Sequence, residues 1–381
     1  MLALMTSPDA MLKQGAPDQL IADVFKATRA AGYPVGLISN GGKPDWFDGL
    51  FAATDVQFLQ ARGRQSGDIV VTNAQQMKIN TFDVVVLASK PEDVQMGKNG
   101  RALLVAAGWS DSPQVTRLGI KVNDAAELRE VLNLTSQWSG QWWFTAQGSY
   151  YHIRALSDLS GYGKSISQQQ FASRLTKTVK NGGSRLNALL AVTARSLLMD
   201  GTDQIKDLVW GVYPSSHSAN DDTDVLCDFT HRLRTTISRV HHAQRDTPLF
   251  IRHTPSVKRS RSSGSVDRTD PTGQIVSLHL NPFYRGRISG KHVIVIDDCT
   301  TYGVSFGVAA AFLKKAGATS ITGIALGKFG NQLRNYDIEL CSDPYAPVAV
   351  GAFRIHHNMA FVGTTNPVSQ QALNALISGL E

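Results

Sequence analysis

Lys291-His-Val-Ile-Val-Ile-Asp-Asp-Cys-Thr-Thr-Tyr-Gly-Val-Ser305 is the stretch that decides how this chain is read. The four aliphatic residues Val293–Ile296 predict a strand buried on both faces, as in parallel sheets. That strand ends in two adjacent carboxylates, Asp297 and Asp298. A tight turn with hydroxyls and Gly303 follows, then an alanine-rich helix over 305–315. In this order the turn's N–H groups and the helix's first turn aim at one point, where the helix dipole favours an anion. Gly303 lets the backbone approach a phosphate closely. Thr300, Thr301 and Ser305 add hydroxyl donors. Asp297 and Asp298 stand at the carboxyl end of the strand, where ligands bind in open α/β sheets, and can accept hydrogen bonds from a ribose diol. Two consecutive aspartates on a buried strand end are costly without a ligand.

Outward from this segment, strands and helices alternate. Before it lie strand Leu208–Tyr213, helix Asp222–Val240 and strand Leu249–Arg252; after it come strand Ile321–Leu326 and a tail rich in proline and glycine. Upstream, Gln168–Met199 reads as two helices broken at Gly182-Gly183. The N-terminal region repeats the alternation: strand Leu2–Met5, helix Ala16–Ala31, and strand Tyr33–Ser39 closing on the turn Asn40-Gly-Gly42. The apolar runs Phe82–Leu87 and Ala102–Ala106 continue it. The pattern predicts an α/β protein with two Rossmann-like open-sheet domains. A chain of 381 residues also exceeds what one ordinary core serves. Between Leu134 and Tyr151 the composition turns to serine, glycine and tryptophan (Trp138, Trp142, Trp143) without helical period. The boundary is placed there, giving domains 1–135 and 141–381.

Hydrophobic residues make up 42% of the chain and charged residues 18%, which excludes a disordered protein. Cys227, Cys299 and Cys341 form no CxxC pair; that argues against a zinc knuckle or disulfide framework and fits a reducing compartment. The first residues lack a basic region, and no apolar stretch nears the roughly 20 residues that span a bilayer. A cytoplasmic protein with no membrane partner is expected. Of the net charge of +7, much lies between Arg252 and Lys291, where eight lysines and arginines face two aspartates. Such a segment calls for an anionic partner, either phosphates on a small molecule or a nucleic-acid backbone met by the basic loop 252–268.

The segment around Asp297 resembles the signature of type I phosphoribosyltransferases: hydrophobic strand, two acids, two variable positions, Thr-Thr-Gly, one variable position, Thr or Ser. The resemblance covers about 230 residues, with its specific part in this one motif. It implies a C-terminal domain of phosphoribosyltransferase type that binds 5-phosphoribosyl 1-pyrophosphate (PRPP) with Mg²⁺, and no separate metal site on the protein. By position, Asp297 and Asp298 would hold the ribose hydroxyls, with Thr301 completing the catalytic set. The turn Thr300, Tyr302, Gly303, Val304 and Ser305 would cradle the 5′-phosphate. Tyr302 replaces the family's second threonine. The loop Tyr213-Pro-Ser-Ser216 matches the family's pyrophosphate loop. Arg252–Arg268 falls where the family keeps a closing flap, whose Lys258, Arg259 and Arg261 would neutralise the leaving pyrophosphate. The implied activity is transfer of phosphoribosyl to or from a nitrogenous acceptor. The alternative is a catalytically silent PRPP- or nucleotide-sensing, or nucleic-acid-associated, effector module, as in a bacterial defence-type assembly.

The N-terminal helix and Gly32-Tyr-Pro-Val-Gly-Leu-Ile-Ser-Asn-Gly41 resemble the second motif of haloacid-dehalogenase-like phosphatases, with Ser39 at its polar position. Lys90 stands at the third-motif lysine. That family needs an Asp-x-Asp after its first strand, and this chain offers Ser7-Pro8-Asp9 or Thr6-Ser7-Pro8. Its acidic fourth motif stands here as Gly108-Trp109 with Asp111 nearby. A degenerate domain, inactive as a phosphatase, is expected.

Overall fold

Continuous apolar strands need cover on both faces, and they receive it in two separate sheets. The computed structural model describes residues 2–182, 185–221, 223–238, 245–256 and 267–378. The chain divides into two compact units, one of Met1–Gly140, Ser184–Gln204 and Arg232–His241, the other of the remaining segments.

The main sheet of the first unit has six strands: Ala3–Thr6 (β1), Val35–Ser39 (β2), Gln57–Gln60 (β3), Val84–Ala88 (β4), Leu103–Ala107 (β5) and Lys121–Val122 (β6). Their spatial order is β3-β2-β1-β4-β5-β6, and every neighbouring pair is parallel. This is the doubly wound Rossmann order, with the strand order reversing between β1 and β4. Helix α1 (Gln19–Ala30) starts where Asp18 accepts hydrogen bonds from the N–H groups of Leu20 (2.8 Å) and Ile21 (3.1 Å). It buries Ile21, Val24 and Phe25 at helical spacing. Helices α2 (Pro91–Asn99) and α3 (Ala125–Gln137) follow β4 and β6.

The division near Gly140 falls inside the tryptophan-rich stretch, but the first unit is not continuous in sequence. Of the two helices expected over Gln168–Met199, α4 (Ile166–Asn181) belongs to the second unit and α5 (Arg185–Met199) to the first. Specific bonds place α5 there. The buried Trp138 indole donates to Ser196 Oγ at 3.0 Å, and the buried Arg195 pairs with Asp83 and donates to the Thr135 carbonyl.

The second sheet is mixed. Its strands are Phe144–Gln147 (β7), Tyr151–Asp158 (β8), Leu208–Val212 (β9), His292–Thr300 (β12), Ser320–Lys328 (β13) and Gly363–Thr365 (β16), ordered β9-β12-β13-β8-β7-β16. The four strands β9, β12, β13 and β8 are parallel, while β7 and β16 add antiparallel strands at one edge. Two ribbons complete the unit: Phe250–Arg252 (β10) with Leu278–Leu280 (β11), and Arg334–Leu340 (β14) with Phe353–Ala360 (β15). Helix α6 (Val304–Lys315) is covered nearly all round, burying nine of its twelve residues, and helix α7 (Pro367–Ser378) ends the described chain. The expected proline- and glycine-rich tail is therefore structured. Gly330, Pro344, Pro347 and Gly351 sit in connections, Gly363 opens β16 and Pro367 opens α7, while β14 alternates buried Tyr336, Ile338 and Leu340 in the period-two pattern of a half-covered strand. Among the described residues, no helix is long and apolar enough to cross a membrane.

Candidate functional site

In the second unit the strand expected to end at Ile296 runs on to Thr300, so both aspartates are strand residues, with Asp297 paired on the ladder. Asp297 lies opposite Ala325 on β13, and Thr300 opposite Lys328. On the other side, Val212 lies opposite Ile296, and the Tyr213 N–H donates to the Ile296 carbonyl at 2.9 Å. The loop Tyr213–Ser216 thus starts beside the acids, at the common carboxyl end of β9 and β12. A cleft of about 460 Å³ opens there, lined by Asp297, Asp298, Cys299 and Ser305 on one side and by Tyr213, Pro214, Ser215 and Ser216 on the other.

Asp297 is buried, and its carboxyl is held well above the usual carboxylate range by desolvation first and by the charge of Asp298 second. A hydrogen bond with the Ser305 side chain pulls the other way. Each acid orders its own backbone: Asp297 Oδ1 accepts from the Asp298 N–H at 2.9 Å, and Asp298 Oδ1 from the Cys299 N–H at 2.6 Å. Burial and the two aspartates push the Cys299 thiol upward. It stays protonated at neutral pH and is a poor nucleophile.

The expected phosphate turn is distributed differently. Ser305, in the first turn of α6, faces the cleft; Thr300 is buried with its carbonyl accepting from the Phe329 N–H at 2.8 Å. Thr301 is partly exposed, and Val304 is buried at the start of α6. Tyr302 packs against the second unit's core, with the Arg268 guanidinium 5.4 Å from its ring centroid. Its carbonyl accepts from the Arg334 N–H at 3.0 Å. A phenol fits this position because it is spent on packing. Gly303 begins α6 with φ +78°, and an added Cβ would stand 3.0 Å from Leu333 Cδ1 and 3.1 Å from the Arg334 carbonyl. Gly303→Ala is therefore expected to lower stability by about 1–2 kcal/mol, seen as a fall of roughly 2–8 °C in melting temperature. An unchanged thermal midpoint would contradict this role.

Arg252 was legible only as one charge of the basic segment, yet it builds the other wall. It is 4% exposed. Its guanidinium donates to the carbonyls of Ser215 (2.6 Å) and Pro214 (3.1 Å), to Ser277 Oγ (2.7 Å) and to Gln274 Oε1 (2.9 Å). The Ser216 carbonyl accepts from the Ser256 N–H at 3.0 Å. In a trans peptide the carbonyl and the next N–H point in opposite directions. The N–H groups that follow these carbonyls, those of Ser215, Ser216 and His217, therefore point away from the bonds the carbonyls make, an arrangement suited to an anion. The remaining flap candidates, Lys258, Arg259 and Arg261, lie outside the described residues.

In the first unit, the switch point between β1 and β4 is occupied by the protein's own bonds. The Thr6 hydroxyl donates to the Leu87 carbonyl at 2.7 Å. Ser7 donates to Asp93 Oδ2 at 2.7 Å, and the N–H groups of Ser89 and Lys90 reach the same oxygen at 3.0 Å. Asp93 is fully buried and pairs with the buried Arg64 at 2.9 Å. Lys90 pairs with Asp9 at 2.6 Å, and Ser39 Oγ accepts from the Gly41 N–H at 3.0 Å. Trp109 donates to the Ala10 carbonyl at 3.1 Å, and Asp111 is exposed. Neither hydroxyl at the nucleophile position meets a free base: Thr6 faces a carbonyl, and the charge of Asp93 is already held by Arg64 and two N–H groups. Full-length protein is accordingly expected to release no phosphate from p-nitrophenyl phosphate with Mg²⁺. Mg²⁺-dependent release that disappears in Asp9→Asn would show the opposite.

No protein-family model matches the chain, and no curated protein does either. Among solved structures, a Lactobacillus delbrueckii subsp. bulgaricus protein described as a phosphoglycolate phosphatase is similar at 20% identity and a TM-score of 0.27. The match covers 32% of this chain and 55% of that protein, so the chain spans about half of its length. At that TM-score the likeness carries no argument, and the reading of both sites rests on their residues.

Proposed function

We propose that the second unit binds PRPP and transfers its phosphoribosyl group to a nitrogenous acceptor. The observation that carries this reading is the single cleft into which Asp297, Asp298, Ser305 and the Arg252-braced loop Tyr213–Ser216 all open. Its two walls differ in chemistry as the two ends of PRPP do. The acids accept hydrogen bonds from the ribose diol, which relieves the crowding of the buried Asp297 carboxyl against the partly exposed Asp298. Ser305 and the start of α6 take the 5′-phosphate, and the N–H groups after Pro214 take the pyrophosphate.

Among the described residues, no cluster of three or more histidine, cysteine, aspartate or glutamate side chains gathers to hold a metal. Mg²⁺ suits the site nonetheless, since it prefers hard oxygens and is commonly held by one or two carboxylates together with substrate phosphates. Asp297 and Asp298 are the residues that would hold it, and its charge would help pyrophosphate to leave. The chain's own part is positional. The acids fix the ribose ring, and the loop N–H groups stabilise the charge that grows on pyrophosphate as C1 gains oxocarbenium character. Burial disfavours a Cys299 thiolate, and the transfer needs no covalent intermediate. The first unit is read as a degenerate haloacid-dehalogenase-like domain on the strength of its Ser39 and Lys90 positions and its missing aspartyl nucleophile.

Pyrophosphate release from PRPP in the presence of Mg²⁺, with and without nitrogenous bases, tests the reading. Release that a base accelerates is expected. If PRPP binds with no turnover under any base, the silent sensor is the better reading. If a salt-sensitive affinity for nucleic acid is lost in the Lys258, Arg259 and Arg261 triple alanine variant while PRPP is ignored, the site belongs to nucleic acid.

A further inference from the structure

A second cleft of about 350 Å³ lies against the last turns of α4 and the end of β13, lined by Lys177, Lys180, Asn181, Thr176, Ser173 and Phe329 among others. Lys180 also lines the larger cleft, and a narrow gap walled by Thr176, Val179, Asp298 and Cys299 shares residues with both. We propose that this second cleft receives the acceptor, and that the acceptor is a flat ring carrying an anionic group such as a carboxylate. The inference rests on the phosphoribosyl reading above and names its missing substrate class.

The sheet order places the cleft correctly. Strand β12, which carries the acids, lies between β9 and β13. The pyrophosphate loop follows β9, and Phe329 follows β13, tied to the acid strand by its N–H bond to the Thr300 carbonyl. A ribose held on Asp297 and Asp298 therefore has its leaving group on one flank and the second cleft on the other. In the transfer, the acceptor nitrogen's lone pair forms the bond to C1 as the C1–oxygen bond breaks, and that electron pair departs with pyrophosphate. A proton present on the nitrogen passes to solvent.

The lining supplies the chemistry. Lys177 and Lys180 bring two positive charges to a cleft that no carboxylate lines, although Lys180 also borders the larger cleft that holds the acids. Among the described residues, neither lysine makes an ion pair. Two exposed lysines over one open cleft favour an anion there, and the partly exposed Phe329 ring offers a face for stacking. Lysines in a helix's last turns also complement its dipole, so the test must separate recognition from helix stability.

Ring pairs that differ by the anionic group provide that test: nicotinate against its uncharged amide nicotinamide, and orotate against uracil, which lacks the carboxylate. Their binding to full-length protein is measured by calorimetry with ribose 5-phosphate present. At least one carboxylate is expected to bind about tenfold or more tightly than its uncharged partner. Lys177→Glu, which lines this cleft and not the larger one, should erase that preference while leaving ribose 5-phosphate affinity unchanged and lowering the thermal midpoint by no more than about 4 °C. Phe329→Ala should weaken both members of a pair alike. Equal affinity within both pairs, no binding of either carboxylate, or a preference surviving Lys177→Glu would overturn the acceptor assignment. If ribose 5-phosphate does not bind at all, the phosphoribosyl reading falls instead, whatever the ring pairs do.

Discussion

Replacing Asp297 and Asp298 together with asparagine is expected to abolish binding of ribose 5-phosphate and PRPP while making the protein more stable. The amides keep the shape of the acids, and their Oδ1 atoms can still accept from the Asp298 and Cys299 N–H groups. What disappears is charge-assisted acceptance from the ribose diol, about 1.5–3 kcal/mol per bond. Two such bonds correspond to a loss of roughly 10²- to 10⁴-fold in affinity. The gain in stability follows from Asp297. Its pKa is raised by burial and by Asp298, so the folded state keeps a proton that the unfolded chain has released. Stability thus falls as pH rises from the ordinary carboxylate value near 3.8 through the raised one. Above that window the ionised pair is a liability that only a ligand offsets. The asparagine variant should gain about 1 kcal/mol near neutral pH, or some 2–4 °C in melting temperature, and its advantage should vanish in acid. Calorimetric titration and thermal melts at pH 4 and 7.5 check both halves. A variant that binds PRPP as tightly as wild type, or melts lower at pH 7.5, contradicts the assignment.

Arg252→Met is expected to have the opposite character. Methionine keeps the apolar stem but removes donors to two carbonyls, Ser277 and Gln274, in a buried place. Leaving several buried acceptors unsatisfied should cost about 3–5 kcal/mol, a fall of roughly 6–20 °C in melting temperature. Arg252→Lys isolates the functional part, because one ammonium retains the charge without the planar fork that holds both loop carbonyls. The lysine variant should lose affinity for PRPP by tenfold or more and for ribose 5-phosphate by far less, since only the former reaches the Tyr213–Ser216 loop. Equal losses for the two ligands would show that Arg252 supports the fold alone.

The parts of this protein that were legible in its sequence are those where one strong local signal dominates. Runs such as Val293–Ile296 and Val84–Leu87 announce buried parallel strands because no polar residue interrupts them. Gly303 and the two acids announce the turn because few other residues meet its backbone and charge requirements. The edges were harder. Gln57–Gln60 forms β3 with glutamine at both ends, and no alternation there signals a strand. The stretch around Trp138, Trp142 and Trp143 marks a domain boundary by its lack of helical period, but that pattern does not show that all three rings are buried. Arg252 and Phe329 were invisible for a different reason. Their importance comes from partners 22 to 38 residues away and from strand adjacency, which composition does not record. The assignment of α5 to the first unit likewise depends on Trp138 and Asp83, reached across long stretches of chain.

A crystal structure of the full chain soaked with PRPP and Mg²⁺ shows whether one cleft at the carboxyl end of β9 and β12 holds PRPP. Density is expected with the ribose diol on Asp297 and Asp298, the 5′-phosphate at Ser305 and the first turn of α6, and pyrophosphate against the N–H groups of Ser215 and Ser216. Density for PRPP at any other place, or a cleft without it at a concentration that saturates binding in solution, would contradict the account.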